Sequence, residues 1–129
     1  KNVNFAGNVA IAIDARRGEL YFQLFEIIDQ NIHPLSQEEA LPIQLAAKKI
    51  NTNIKMIIGS GAEILNSVLN EQKIDFSTDF QNPTAEFIAE LSLKNGKRRL
   101  DVDQVKPLYL RAPDAKLPSK NIIPTIKND

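Results

Sequence analysis

Four charged side chains crowd one short stretch: Asp14, Arg16, Arg17 and Glu19 surround Gly18. Two carboxylates flanking a turn could do acid–base work, one releasing a proton and the other accepting it. Two arginines at a turn could instead hold an anionic ligand or partner through their forked donors. The structural alternative is that opposite charges pair across the turn, each pair contributing well under about 1 kcal/mol at an exposed site. A second candidate is Gly59-Ser60-Gly61. Between a strand and a helix N-terminus, such a turn can aim backbone N–H groups at a phosphate, so Gly59, Ser60 and Gly61 are the candidate nucleotide-binding residues. The longer fingerprints are missing, with no Gly-Lys-Ser/Thr and no third spaced glycine. A tight turn that needs glycine for its backbone alone explains the same residues.

Other chemistry is thinner. There is no cysteine, which removes disulfides, thiolate metal sites and cysteine nucleophiles. His33 stands alone beside Pro34, so no imidazole-rich metal site can form and no second histidine can serve a serine nucleophile. No serine lies in a Gly-x-Ser-x-Gly context. Lys97, Arg98 and Arg99 could touch nucleic-acid phosphates, although no aromatic is interleaved to stack bases; they equally suit a helix C-terminus, where cations complement the dipole. Tyr109 and Arg111 alternate as in a strand and are expected to clamp the C-terminal segment onto the body. No set of residues assembles nucleophile, base and electrophile. No catalytic or metal-ligating residue is therefore assigned, and the chain by itself is not expected to be an enzyme.

The elements that must position these residues follow from periodicity. Val9–Ala15 is a continuous apolar run, the pattern of a strand covered on both faces. Arg16-Arg17-Gly18 supplies a turn, with Gly18 free to take positive φ, and Glu19–Ile28 alternates as the returning strand of an antiparallel hairpin. Residues 29–36 read as a connection marked by polar turn formers and Pro34. Glu38–Leu41 reads as a short, charged edge strand. Pro42 suits the first turn of a helix over Ile43–Ile50, where its missing N–H has no partner to lose. Ile54–Ile58 is a second buried strand, running into Gly59-Ser60-Gly61 and a helix from Ala62 to about Leu69. Lys73–Phe76 reads as a last short strand. Asn82 as cap and Pro83 at the first position open a third helix with an apolar face of Ala85, Phe87, Ile88 and Leu91, ended by Asn95-Gly96. The fold class is α/β, a small mixed sheet with helices packed on it. Residues 1–103 form the lobe, and 104–129 an extended tail rich in proline and lysine.

Composition agrees. At 129 residues with 43% hydrophobic side chains the chain suits one domain with a modest core. No apolar run approaches the roughly 20 residues needed to cross a bilayer, and no membrane contact is expected; a cytoplasmic location is expected as well, with which the lack of cysteine is compatible without demanding it. Net charge is zero, yet residues 94–129 carry nine basic and four acidic side chains, and residues 1–93 seven and twelve. A basic end on an acidic body suits either an acidic partner or plain solvation. The opening Lys1-Asn2-Val3-Asn4-Phe5 reaches a strand so soon that it reads as the interior of a longer protein.

Three phrases, in order, resemble the C-terminal half of the TsaB (YeaZ) family. They are Ala12-Ile13-Asp14-Ala15-Arg16-Arg17-Gly18-Glu19-Leu20-Tyr21, Gly59-Ser60-Gly61, and Pro107-Leu108-Tyr109-Leu110-Arg111. The family-motif residues are Asp14, Arg16, Arg17, Gly18, Tyr21, Pro107, Tyr109 and Arg111. The resemblance implies a reduced actin-like, sugar-kinase-like lobe. It also implies a non-catalytic scaffold that pairs with a TsaD-like catalytic subunit and works with a TsaE-like ATPase. Together these place threonylcarbamoyl on the adenosine beside the anticodon of ANN-reading tRNAs. No cofactor is implied for this chain, only ATP or ADP at the level of the complex. tRNA is reached through the complex, and the full-length protein of the family can form a homodimer. The old glycoprotease label of the superfamily finds no metal-ligand pair here. The family's first lobe, with its Gly-Pro-Gly-Ser-Phe-Thr-Gly segment, is missing, and with it the helices through which the family dimerises and contacts TsaD.

Overall fold

The apolar run at the start of the chain becomes the centre of a six-stranded mixed sheet. A computed structural model describes residues 5–69, 74–77, 82–94 and 106–111. Strand β1 (Gly7–Asp14) pairs antiparallel with β2 (Glu19–Ile28), from Gly7 opposite Ile27 to Asp14 opposite Leu20. The expected hairpin is present, but its turn is tighter than glycine alone provides. Arg16 (φ 65°), Arg17 (φ 58°) and Gly18 (φ 77°) are all left-handed, and the Glu19 N–H donates to the Arg16 carbonyl at 3.1 Å.

Residues 29–36, read as a connection, contain a strand. β3 (Asn31–Pro34) pairs antiparallel with the distal half of β2 through a two-residue turn, Asp29 (φ 47°) and Gln30 (φ 65°). Pro34 is tolerated because β3 lies at the sheet edge, where a missing N–H breaks no ladder bond. β4 (Glu39–Pro42) lies against the proximal half of the same side of β2, pairing Leu41 with Leu20. Pro42 thus closes this strand, and α1 (Ile43–Lys49) starts one residue later, anchored by the Ile43 N–H on the Gly18 carbonyl at 3.1 Å. Lys49 bonds Glu39 across this corner.

β5 (Ile54–Ile58) lies parallel to β1 on its other side, with a bulge near Asn8, and is followed by α2 (Ala62–Ser67). β6 (Asp75–Ser77) extends the sheet parallel to β5. The sheet order is β3-β2-β1-β5-β6. α3 (Ala85–Lys94) is capped not by Asn82 but by Thr84, whose Oγ1 accepts the Phe87 N–H at 3.3 Å. A hydroxyl directly before the first helical residue reaches that donor, and Pro83 moves outside the helix. The end expected at Asn95-Gly96, the cluster Lys97–Arg99 and the division at 103/104 lie outside the described residues.

One face of the sheet carries the core. Ala10, Ala12, Leu20, Phe22 and Ile57 meet Ala46 of α1 and Ala62 and Leu65 of α2, all essentially sealed from water. Alanines at the centre of β1 leave room for both helices to seat closely, and Phe22 fills the remaining volume. The run in β1 suggests cover on both faces, but among the described elements helices lie on this face alone.

Candidate functional site

The residues singled out by type and spacing gather at one end of the sheet, where β1 and β5 both finish. Asp14 is the last residue of β1. Its Oδ1 accepts the Arg16 N–H at 2.8 Å, and its Oδ2 lies 3.3 Å from Arg16 Nη1. The carboxylate therefore folds over the turn and braces a left-handed arginine that would otherwise be disfavoured by about 1–2 kcal/mol. Glu19, across the hairpin, is engaged elsewhere. Its Oε2 accepts from Arg111 Nη1 at 2.9 Å, and the same nitrogen lies 3.3 Å from the Ala15 carbonyl. Two carboxylates so committed to local partners do not face a common reacting atom, so the charges serve the turn rather than proton transfer.

Gly59-Ser60-Gly61 is stitched to β1. The Gly61 N–H donates to the Ala12 carbonyl at 2.9 Å, and Ser60 Oγ accepts the Asp14 N–H at 3.1 Å. Gly59 has φ 117°, and a Cβ there would lie 2.3 Å from the Ala12 oxygen; one on Gly61 would lie 2.5 Å from Leu20 Cδ2. Gly59 is therefore required by close approach of one backbone to another, whereas at Gly61 the space is filled by the end of the Leu20 side chain. A phosphate cradle needs N–H groups aimed at open space. Here the Gly61 N–H and the Ala62 N–H, bonded to the Gly59 carbonyl at 3.0 Å, are engaged.

The remaining motif residues divide. Arg111 anchors the C-terminal segment as expected, whereas Tyr109 is 79% exposed and clamps nothing; Pro107 is exposed beside it. Tyr21 is half-buried on the sheet face away from the helices, opposite Ile13. Arg17 and Gly18 are exposed at the hairpin tip. Among the described residues no three His, Asp or Glu side chains come together as a metal ion would need. No described helix is long and apolar enough to cross a membrane.

What sequence reasoning missed is the meeting itself. Asp14 touches Ser60 across 46 residues, and Glu19 touches Arg111 across 92. The signal available was a Gly-x-Gly after a buried strand, which demands a close neighbour without naming it. Arg111→Ala should lower stability by about 1 kcal/mol, since both partners are nearly a third exposed. Urea melts at low and high salt check this: the difference from wild type should shrink as ions screen the pair.

Neither a protein-family model nor a curated protein sequence matches the chain. Solved structures match by shape. One is an uncharacterized Pseudomonas aeruginosa protein described as similar to peptidase YeaZ, with a TM-score of 0.63 and 21% identity over 82% of this chain. The fold is that of half a YeaZ molecule. YeaZ from Pseudomonas aeruginosa itself gives a TM-score of 0.62 with 19% identity over 81% of the chain. In each case the chain spans 50% of the solved protein. The mixed sheet with helices packed on it is the α/β fold class expected from sequence, and at this identity the likeness concerns fold alone.

Proposed function

We propose that this chain is the C-terminal lobe of a TsaB (YeaZ)-type accessory subunit, a scaffold in threonylcarbamoyladenosine modification of tRNA. The observation that carries the reading is the convergence at the hairpin end. Three phrases that resemble the family by sequence are held against one another by the Ser60–Asp14, Gly61–Ala12 and Arg111–Glu19 bonds, in a lobe with the YeaZ fold. In this reading the chain performs no bond making or breaking. A TsaD-like subunit supplies catalysis, a TsaE-like ATPase supplies nucleotide turnover, and tRNA meets the assembly in the cytoplasm.

The test is chemical. Depleting the protein from its own cells should lower threonylcarbamoyladenosine in ANN-reading tRNAs, read by mass spectrometry of tRNA nucleosides. An unchanged level sinks the proposal. A TsaD-like subunit should be retained by the protein carrying both lobes but not by residues 1–129, because the family's partner helices belong to the other lobe. The rival reading, a phosphate site at Gly59–Gly61, has against it that the turn's glycines and two of its donors already serve packing. Calorimetric titration of ADP into the chain separates the two, and saturable binding would favour the rival.

A further inference from the structure

Closing the hairpin does not explain which residues close it. Arg16 and Arg17 both hold left-handed backbone, at φ 65° and 58°. A turn that only had to close would place asparagine, aspartate or glycine there, because those residues enter this region at least cost. Long cationic side chains are the strained choice, and both are displayed. The Arg16 side chain is 85% exposed beside its contact with Asp14, and Arg17 is exposed at the tip. A guanidinium carries N–H donors on three nitrogens, so the 3.3 Å contact of Nη1 with Asp14 leaves the rest of the Arg16 fork facing water.

Tyr109 is the second side chain that packing does not explain, at 79% exposed. It stands in a segment that Arg111 ties to the hairpin, since Arg111 Nη1 donates to the carbonyl of Ala15, the residue before Arg16. Two residues of chain separate Tyr109 from Arg111, at most about 7 Å. Lys106 is exposed on the same segment. The fold thus sets an open aromatic ring beside two outward arginines, across 96 positions of sequence. The hairpin's own carboxylates, Asp14 and Glu19, are each already bridged to a guanidinium.

We propose that this end of the lobe binds single-stranded RNA, with Tyr109 as the platform for a base and Arg16 and Arg17 on neighbouring phosphates. A strand uses both features at once, a flat base for the ring and a charged backbone for the cations. An acidic protein segment would use the arginines and leave the ring idle. The choice of RNA among polyanions rests on the scaffold reading above, and it makes this lobe a direct contact for an unpaired stretch of the tRNA, where bases are open to stacking.

Fluorescence anisotropy on the whole chain tests this, with a labelled adenosine RNA of about twelve nucleotides as probe. Binding should saturate and weaken with salt. Arg16→Gln combined with Arg17→Gln removes two cations, so the slope of log affinity against log salt should fall by about 1.4, at about 0.7 per contact. Tyr109→Ala should weaken binding by about tenfold at every salt concentration, and Tyr109→Phe should restore it. All three positions are exposed, and each variant is first checked for a wild-type melt. No saturable binding at low salt overturns the proposal. So does a Tyr109→Ala variant that binds like wild type, which would leave only general attraction between charges. A glutamate-rich peptide that displaces the RNA with equal affinity would mark a protein segment as the occupant and overturn it too. The scaffold reading is judged apart, by the nucleoside measurement. No RNA binding while depletion still lowers threonylcarbamoyladenosine removes this contact and leaves the scaffold; binding that obeys both dependences while the modification is unchanged does the reverse.

Discussion

Gly59→Ala should remove about 4 kcal/mol of folding stability, read as a large fall in the urea midpoint. Two effects add. At φ 117° an L side chain is strained by about 1–3 kcal/mol, because this region is close to glycine-only. The new Cβ would also stand 2.3 Å from the Ala12 carbonyl oxygen, a backbone atom of a buried strand that cannot rotate away. Forcing the two apart is overpacking, for about another 1–3 kcal/mol. Since a small domain has only about 5–15 kcal/mol in total, this one methyl group removes a large share. Gly18→Ala is the control. It shares a positive φ, 77°, but its Cβ would meet nothing, so about 1 kcal/mol is expected. Gly61→Ala should fall between, since its φ is ordinary but Leu20 must move. Equal losses at the three positions would refute the close-approach explanation of this turn.

That ordering bears on function. A glycine kept for a ligand is surrounded by space the ligand will fill, whereas Gly59 and Gly61 are surrounded by protein. The same logic covers the charges. Asp14 braces its own turn and Glu19 receives Arg111, so groups that look like an acid–base pair in sequence are structural in space. The hairpin end is therefore a junction of three chain segments, held by close backbone packing and hydrogen bonds.

How much of this was legible in sequence depends on the range of the forces involved. β1, β2 and β5 were readable because a strand buried among others leaves a dense apolar run that nothing else explains. α1 and α2 were readable from their stripes and the residues that flank them. β3 was not, because its turn is Asp29-Gln30 rather than a pair containing glycine, and Pro34 argued against a strand. An edge position removes that objection, but being at an edge is a property of the finished sheet. The cap of α3 was misplaced by two residues because Asn82 and Thr84 are both good caps, and which is used depends on where the chain arrives from. The site was legible as three phrases and illegible as one place. Local pattern cannot report that residues 92 positions apart will share a hydrogen bond.

Phe22→Ala should cost about 3–5 kcal/mol, the range for removing a buried ring from a packed core. Phe22 is 2% exposed on the helix-covered face of β2, opposite Ala12 in the register and part of the cluster with Ala46 and Leu65. Its ring is the largest of the fully buried side chains, which puts the expected loss toward the upper end. Phe22→Leu keeps most of the volume and should cost less than about 1.5 kcal/mol. The damage should also reach the hairpin end, because Leu20, two residues along the same face, packs on Gly61. Hydrogen exchange in Phe22→Ala should therefore rise at the Gly61 amide as well as in β2. Exchange rising in β2 alone would mean that the core and the junction are independent, and that the three segments hold their arrangement without the layer beneath them.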